Sequence, residues 1–162
     1  MIALRQTMRQ FFGSFEARGA SDGRTFTGQQ FSQINATAAN PQGAVFPEGY
    51  AMIRGVPPAN QPIPAPMPYI AYPLIKQGFG QQTVISASIW NRVPGNPGHF
   101  ALVDHVVEQF QERFRDGGLI LRPDDDSGLI ALYFDRYFYM DDPSDNLITR
   151  GIMQMQIKDY IL

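Results

Sequence analysis

The chain has 162 residues, of which 44% are hydrophobic and 17% are charged, and its net charge is −2. This composition excludes an intrinsically disordered chain and suits a single domain spanning residues 1–162 with one core. No basic block is present, which argues against sequence-independent nucleic-acid binding, and the lack of cysteine excludes disulfides and thiolate metal sites. Without a signal peptide or an 18-residue apolar run, we expect a protein made and kept in a cytoplasm.

Residues 1–17 are predicted to form an N-terminal amphipathic helix. Leu4, Met8, Phe11 and Phe15 recur at spacings of four, three and four, which places them on one stripe of a helix. The stripe predicts that this helix packs against the core.

Residues 20–68 change in composition and are predicted to form a long extended arm or loop insertion. The segment VPPANQPIPAPMP (Val56–Pro68) is rich in proline and carries no charge, which excludes helix and central strand and favours polyproline II. Two short strand-like segments lie upstream, Thr25–Phe31 and Gly49–Arg54. A stiff connector, a ligand for an aromatic-lined domain and an arm that folds against a neighbouring subunit are all compatible with this composition.

Beyond the arm, the pattern indicates a mostly antiparallel sheet. Strands are predicted at Tyr69–Lys76, Thr83–Trp90, Leu119–Arg122, Gly128–Phe134 and Ile148–Lys158. Short turns between neighbouring strands favour antiparallel pairing. With two amphipathic helices on one face, the sequence predicts an α+β two-layer sandwich, with about four to five strands in the sheet and a core within residues 69–162.

The second predicted helix lies in NPGHFALVDHVVEQFQERF (Asn96–Phe114). Asn96 suits the N-cap, Pro97 the first turn, and Gly117 the left-handed position beyond the end. The apolar residues occupy an arc of about 120°: Phe100, Val103, Val106, Val107, Phe110 and Phe114. The polar residues occupy the opposite side: Asp104, His105, Glu108, Gln111, Glu112 and Arg115. This helix is predicted to back the sheet with one face and to leave the other in water or against a partner.

The polar face of this helix holds residue types that can bind a metal, but not at the required spacing. An H-E-x-x-H zinc helix needs two histidines four residues apart, whereas His99 and His105 are six apart and lie on different sides. A metal-dependent hydrolase using His105, Asp104 and Glu108 is therefore a less favoured alternative. No phosphate-loop, dinucleotide-binding or nucleophile-elbow motif occurs, so we expect no enzyme, no metal and no cofactor.

Two further acidic clusters lie in predicted turns: Asp124, Asp125 and Asp126 in one, and Asp141, Asp142 and Asp145 in the other. Neither cluster has the ligand spacing of a calcium-binding EF-hand loop. Aspartate favours turns without any ligand, and this is how we interpret both clusters.

The segment DRYFYM (Asp135–Met140) places three aromatic residues and an arginine just past a predicted strand. Tyrosine and arginine are frequent anchors of protein interfaces, although such a cluster can equally cap the edge of a core. Five residues are predicted at a subunit or partner interface: Trp90, Arg136, Tyr137, Tyr139 and Arg150.

The order of the segments carries a family resemblance. PYIAYPL (Pro68–Leu74) leads through a hairpin into SIW (Ser88–Trp90), followed by the Asn-Pro-capped helix, a hairpin, RYFYMDDPSDN (136–146) and ITRGIMQMQIKDYI (148–161). This order resembles the tail terminator, or tail completion, proteins of tailed bacteriophages. The resemblance covers roughly Tyr69–Leu162 and the N-terminal helix, whereas the long segment 20–66 departs from the family.

The resemblance implies an α+β subunit that assembles into a homo-hexameric ring, caps the head-proximal end of the tail tube and contacts the head connector or stopper protein. It implies a virion protein without catalysis, assembled in the host cytoplasm, through which DNA passes without specific binding. We expect one of the acidic clusters to line that channel: Asp104, Glu108 and Glu112, or Asp124–Asp126, or Asp141–Asp145. Other head–tail joining proteins, a tail tube protein, whose plan is usually more strand-dominated, and a cellular binding module with a Pro-rich ligand are the alternatives.

Overall fold

Alternating apolar and polar residues near the end of the chain place its last strand at the centre of a sheet. A computed structural model describes residues 2–47, 52–54, 62–73, 83–94, 100–115, 117–124, 128–141 and 148–160. The elements in chain order are α1 (Ile2–Gly13), β1 (Glu16–Ser21), β2 (Arg24–Gln30), β3 (Val45–Phe46), β4 (Met52–Arg54), β5 (Pro62–Pro64), β6 (Tyr69–Ala71), β7 (Thr83–Arg92), α2 (Ala101–Arg113), β8 (Gly118–Leu121), β9 (Leu129–Asp141) and β10 (Ile148–Tyr160).

Six of these strands form the main sheet, in the order β3-β6-β7-β10-β9-β8. Neighbouring strands are antiparallel except β3 and β6, which are parallel. Two smaller sheets pair β1 with β2 and β4 with β5. The predicted α+β class and mostly antiparallel sheet are confirmed. The predicted number of strands is too low, because β3 comes from the segment that was predicted to be an arm.

The core lies between α2 and one face of the main sheet. In β10, Met153, Met155 and Ile157 are buried, as their alternation predicts. The apolar face predicted for α2 is also buried, together with Leu102. The helix lies so close to β10 that a Cβ atom on Gly151 would be 2.5 Å from Val103 Cγ1. Gly151 therefore sets the distance between the helix and the sheet.

Both helices are shorter than predicted. α2 begins at Ala101 with Phe100 at the N-cap position and no side-chain cap, and the predicted start at Asn96 and Pro97 lies outside the described residues. Its predicted end is confirmed, because Gly117 has a φ of 89° and donates its N–H to Phe114 O at 2.9 Å. α1 ends at Gly13 rather than at residue 17, since glycine disfavours the helix interior and the chain turns there into β1.

Residues 20–47 do not form an arm. β1 and β2 form a hairpin closed by Asp22 and Gly23, whose positive φ values of 49° and 79° suit a two-residue hairpin turn. The hairpin and the stretch that follows it contribute buried apolar residues to the core: Phe26, Phe31, Ile34, Ala44, Val45 and Phe46. The prediction of an arm was wrong because these apolar residues are widely spaced and follow no period. The polar residues between them indicated an extended segment instead.

The proline-rich segment is described only in part, since residues 55–61 lie outside the described residues. Strand β5 pairs with β4 in an antiparallel register, with Pro64 opposite Met52. Prolines are tolerated there because both strands of a two-stranded sheet are edge strands. Ala65 and Met67 are buried in the core, so the end of the segment packs against the domain.

Arg113 of α2 binds the end of α1. Its guanidinium donates to Ser14 Oγ at 2.7 Å and to the Ser14 carbonyl at 3.1 Å. It also lies over the Phe15 ring, with Cζ 3.9 Å from the ring centroid. Burial lowers the pKa of Arg113, and the nearby Glu16 carboxylate partly offsets this effect.

We expect Arg113→Lys to lower the free energy of unfolding by about 1.5 kcal/mol, because an ammonium group cannot reproduce both the forked donation and the ring stacking. Chemical denaturation measures this loss. Arg115→Lys is the matched control, since Arg115 is exposed and pairs with the exposed Glu112. Its effect should be under about 0.5 kcal/mol, and equal losses in both variants would contradict the prediction.

Candidate interaction surface

Strand β8 covers only part of β9. It pairs from Gly118 opposite Tyr133 to Leu121 opposite Ile130. Among the described residues, none pairs with the outer side of residues 134–141 of β9, whereas β10 pairs with all of them except Asp135 on the inner side. Within the described ranges, this part of the sheet edge therefore has no partner strand.

The direction of the backbone groups along this open edge follows from the registers of the sheet. In β6, the N–H of Ile70 donates to Ala44 O in β3 at 2.9 Å. N–H and C=O groups alternate in direction along a strand. When this alternation is followed from β6 through β7 and β10 to β9, the N–H and C=O groups of Phe138 point to β10. The N–H and C=O groups of Tyr137 and Tyr139 consequently point to the open edge.

A β-bulge at Asp135 changes which side chains of β9 face α2. The pairing with β10 shifts between Gln154 and Met155, so Asp135 is an extra residue in the ladder. Even-numbered residues up to Phe134 face α2, and Tyr137 is the first to do so beyond the bulge. The prediction that DRYFYM lies past a strand was wrong, because the bulge interrupts the period of two while the strand continues.

Four consecutive large side chains follow the bulge and are exposed. Tyr137 is 42% exposed, Phe138 37%, Tyr139 40% and Met140 44%, and we call these four residues the aromatic edge. Tyr137 and Tyr139 lie on the α2 side of the sheet, and Phe138 and Met140 on the other. This grouping of exposed apolar side chains makes the aromatic edge a candidate interaction surface.

On the α2 side, the aromatic edge continues the aromatic core. The Tyr139 ring lies 5.2 Å from the Phe100 ring and 6.1 Å from the Tyr137 ring, measured between centroids. Partial burial raises the pKa of Tyr139 far above its usual range, and a hydrogen bond to the Asp104 carboxylate raises it further. Tyr139 thus lies between the Phe100 ring and the Asp104 carboxylate.

On the other side of the sheet, a row of polar side chains crosses three strands. Arg136 Nε donates to Gln154 Oε1 at 2.5 Å, and Gln154 Nε2 donates to Ser86 Oγ at 3.1 Å. The predicted interface residue Arg136 is thus exposed but held in place by its neighbours in β10 and β7.

Two other predicted interface residues contact each other. The Arg150 guanidinium lies over the Trp90 ring at 4.4 Å and donates to Ser88 Oγ at 2.9 Å. Trp90 also stacks on Tyr69, with 6.0 Å between ring centroids, and is only 8% exposed. Arg150 pairs with Met140 across the ladder. Trp90 is therefore buried between Arg150 and Tyr69, and Arg150 lies beside the aromatic edge.

On the acidic face of α2, charged side chains pair with neighbours three residues along the helix. His105 Nδ1 lies 3.6 Å from Glu108 Oε2, and both side chains are exposed. Glu112 pairs with Arg115, whose hydrogen bond lowers the pKa of the Glu112 carboxyl. Within the described ranges, no three metal-binding side chains lie together, and His99 lies outside those ranges.

The two acidic turns are only partly described. Asp124 accepts a hydrogen bond from Gln10 Nε2 at 2.8 Å, which joins the β8–β9 turn to α1. The remaining acidic residues of these turns, or their side chains, lie outside the described part of the chain: Asp125, Asp126, Asp141, Asp142 and Asp145. The expected lining of a channel stays a prediction.

Phe138 and Met140 belong to the exposed surface but were not predicted as interface residues. Phe138 lies between the predicted Tyr137 and Tyr139 and Met140 follows them, so alternation places both on the opposite face of the sheet. Their exposure depends on how far β8 extends, which no local pattern shows.

No protein-family model and no curated protein matches this chain. None of the helices in the described ranges combines the length and apolarity needed to cross a membrane.

Proposed function

We propose that this chain is a tail terminator, a structural subunit of a bacteriophage tail that assembles into a homo-hexameric ring. The ring caps the tail tube, joins it to the head connector or stopper protein, and lets DNA pass without specific binding. Its location is the head-proximal end of the tail in the virion, after assembly in the host cytoplasm.

The aromatic edge is the observation that carries this proposal. Four neighbouring large side chains are exposed on a part of β9 whose outer side pairs with no described residue, and such an apolar edge favours contact with a partner. A composition with 17% charged and 12% aromatic residues also suits a protein with large permanent contacts. The segment order described above connects such contacts to the tail terminators.

The exposed aromatic side chains explain how copies would hold together. Tyr137 and Tyr139 lie side by side on one face, where two rings can enter one pocket on a neighbour. Arg136 and Arg150 flank the edge on the opposite face, as the predicted interface requires. Large aromatic residues with adjacent arginines are the side chains that dominate binding energy at protein interfaces.

The experiment compares the mass distribution of the wild-type protein with that of a Tyr137→Ser, Tyr139→Ser double variant, using mass photometry and analytical ultracentrifugation. We expect wild-type hexamers, and at about 2 kcal/mol for each lost anchor, the double variant should need roughly a thousandfold higher concentration to assemble.

Val84→Ser is the matched control, since Val84 is 52% exposed on β7, away from the aromatic edge. It should assemble like the wild type. A wild-type chain that stays monomeric at every concentration, and does not bind tail tubes made from a tube protein encoded next to it, would refute the proposal.

The length of the central strands favours a second candidate, a tail tube subunit or another head–tail joining protein. Strands β9 and β10 have 13 residues each within a six-stranded sheet, and tube subunits usually have a strand-dominated plan. Electron microscopy of the assembled protein distinguishes the two, because a terminator forms single rings whereas a tube subunit forms tubes of increasing length.

A further inference from the structure

A cleft lies between the exposed face of α1 and the turn that precedes β3. Its volume is about 560 Å³, within the range of roughly 300–1,000 Å³ that small-molecule sites occupy. Two arginines, three glutamines and a proline line it: Arg5, Gln6, Arg9, Gln10, Pro41 and Gln42. None of these residues belongs to β9, so the cleft is separate from the aromatic edge.

Both walls of the cleft are fixed by contacts behind them. Beneath α1, Phe12 is fully buried and stacks on the Tyr72 ring, with 5.0 Å between ring centroids. In the turn, Asn40 Nδ2 donates to Gly43 O at 3.0 Å, and the Asn40 N–H donates to Thr37 Oγ1 at 3.0 Å. The shape of the cleft is therefore set before a ligand binds, as is usual for small-molecule sites.

The two arginines of the cleft lack the acceptors that other arginines of this protein have. Seven arginines elsewhere hydrogen-bond to groups of the protein: Arg18, Arg24, Arg92, Arg113, Arg115, Arg136 and Arg150. Within the described ranges Arg5 and Arg9 form no ion pair, and α1 itself contains no acidic residue. Cations four residues apart repel each other, and a cation in the first turn of a helix opposes the helix dipole. An anion between the two guanidiniums would relieve both effects.

A buried hydroxyl on the inner side of Arg9 needs a hydrogen-bond acceptor. The Tyr72 side chain is fully buried, and its hydroxyl has no hydrogen-bond partner among the described residues. Burial raises the pKa of Tyr72, and Arg9 and Arg5 lie close enough to offset this effect in part. A guanidinium only donates hydrogen bonds, so neither arginine can accept the Tyr72 hydrogen, whereas an anion oxygen can. An anion beside Arg9 would satisfy a buried group that is otherwise unpaired.

We propose that this cleft binds a small organic phosphate monoester, with the phosphate group between Arg5 and Arg9. The charges match, since a phosphate monoester carries about −1.5 to −2 at pH 7 and the two guanidiniums each carry one positive charge. Guanidinium groups bind phosphate oxygens through paired hydrogen bonds, and the Tyr72 hydroxyl supplies a further donor. A carboxylate would leave one positive charge uncompensated.

The rest of the cleft determines the chemistry of the remaining part of the ligand. At one end, Gln10 Nε2 donates to Asp124 Oδ2 at 2.8 Å, and this carboxylate repels an anion. The phosphate group is therefore expected on the side away from Asp124. Gln6 and Gln42 offer amides that both donate to and accept from hydroxyl groups. The uncharged part of the ligand is thus polar, as in a glycerol or sugar phosphate.

Isothermal titration calorimetry of the full chain at constant ionic strength tests the ligand class with three probes. These are methyl phosphate, glycerol phosphate and dimethyl phosphate, a diester with a single negative charge that stands for a nucleic-acid backbone. We expect dimethyl phosphate to bind roughly tenfold or more weakly than methyl phosphate, because it lacks one charge and one terminal oxygen. Glycerol phosphate should bind more tightly than methyl phosphate. Equal affinities for the diester and the monoester would overturn the assignment, and glycerol phosphate that binds no more tightly than methyl phosphate would overturn a polar remainder.

Charge variants test whether binding takes place in the cleft. Arg5→Gln and Arg9→Gln should each weaken methyl phosphate binding roughly tenfold or more, because each removes charge-assisted hydrogen bonds. Arg18→Gln is the matched control, since Arg18 is exposed on β1 and pairs with Glu16. It changes the net charge equally and leaves the cleft intact. Equal weakening in all three variants would indicate general attraction by charge and overturn the site.

Tyr72→Phe tests the buried hydroxyl, because it keeps the ring that stacks on Phe12. We expect weaker methyl phosphate binding and a nearly unchanged denaturation midpoint in phosphate-free buffer, since the hydroxyl has no partner to lose. A lower midpoint with unchanged affinity would assign this hydroxyl a structural role and overturn its part in the site. The cleft lies within one chain, so the measurement does not depend on the proposed ring. Failure of both monoesters to bind saturably would overturn the proposal and leave the ring untouched.

Discussion

Gly43→Ala is expected to lower the free energy of unfolding by about 4 kcal/mol. The residue has a φ of 67°, and an L side chain in this left-handed region costs roughly 1–2 kcal/mol. A Cβ atom at this position would lie 2.4 Å from Ser32 O and 2.7 Å from Phe31 O. Both neighbours are backbone atoms, and the Phe31 carbonyl already accepts the Ala44 N–H at 2.9 Å. The overlap therefore cannot be relieved by rotating a side chain.

Gly23→Ala is the control that separates the cost of steric overlap from the cost of the positive φ. Gly23 has a φ of 79°, but a Cβ atom there would meet nothing within 4 Å. We expect it to cost about 1 kcal/mol. Urea denaturation of both variants gives the difference, and a Gly43→Ala loss no larger than that of Gly23→Ala would show that the backbone around Ser32 adapts.

Gly151→Val is expected to cost about 3 kcal/mol, because it adds volume where α2 rests on β10. The new Cβ atom would lie 2.5 Å from Val103 Cγ1 and 3.6 Å from Ile89 Cδ1. Valine in a helix has one strongly preferred rotamer, so Val103 cannot turn aside without strain. The helix must move away from the sheet, and overpacking of this kind typically costs 1–3 kcal/mol and occasionally more.

Two comparisons test this explanation by thermal and chemical denaturation. Gly118→Ala places a Cβ atom no closer than 3.4 Å to Tyr133 and should change stability little. Val103→Ala combined with Gly151→Ala should be more stable than the sum of the two single losses predicts, because each change makes room for the other. Strict additivity would indicate that a side chain at position 151 does not overlap Val103.

Elements that carry a complete period of their own could be predicted from the sequence. Apolar and polar residues alternate over Ile85–Ile89 in β7 and Met153–Ile157 in β10, and α2 repeats apolar residues every three to four positions. Each pattern reflects one buried face, so local sequence suffices to identify the element. The start of α2 was placed too early because a suitable cap at Asn96 does not determine where a helix begins when Gly98 follows two residues later.

The strand-like segment predicted at Thr25–Phe31 corresponds to β2, but the contribution of residues 20–47 to the core could not be predicted, because it is not periodic. Phe26 comes from a hairpin, Phe31 and Ile34 from the turn after it, and Val45 from a two-residue strand. Each is buried by tertiary contacts with distant parts of the chain. The glycine and polar residues of this segment indicated an extended arm, but these few buried contacts fold it against the domain.

The candidate site was predicted in its residues but not in its geometry. Tyr137 and Tyr139 were chosen because of their side-chain type, and the structure places them on an edge that β8 leaves unpaired. A β8 strand longer by a few residues would cover the same side chains. Their exposure is therefore a property of the strand pairing, which is non-local.

The bulge at Asp135 divides one strand into two parts with separate mutational phenotypes. On its N-terminal side, Ile130, Ala131 and Leu132 are buried, and substitutions there should reduce the yield of folded protein. On its C-terminal side every described side chain through Met140 is exposed, and polar substitutions should give soluble, folded chains that fail to assemble. A genetic screen over this one strand would thus sort its loss-of-function alleles into an unstable class at Ile130–Leu132 and an assembly-defective class at Tyr137–Met140.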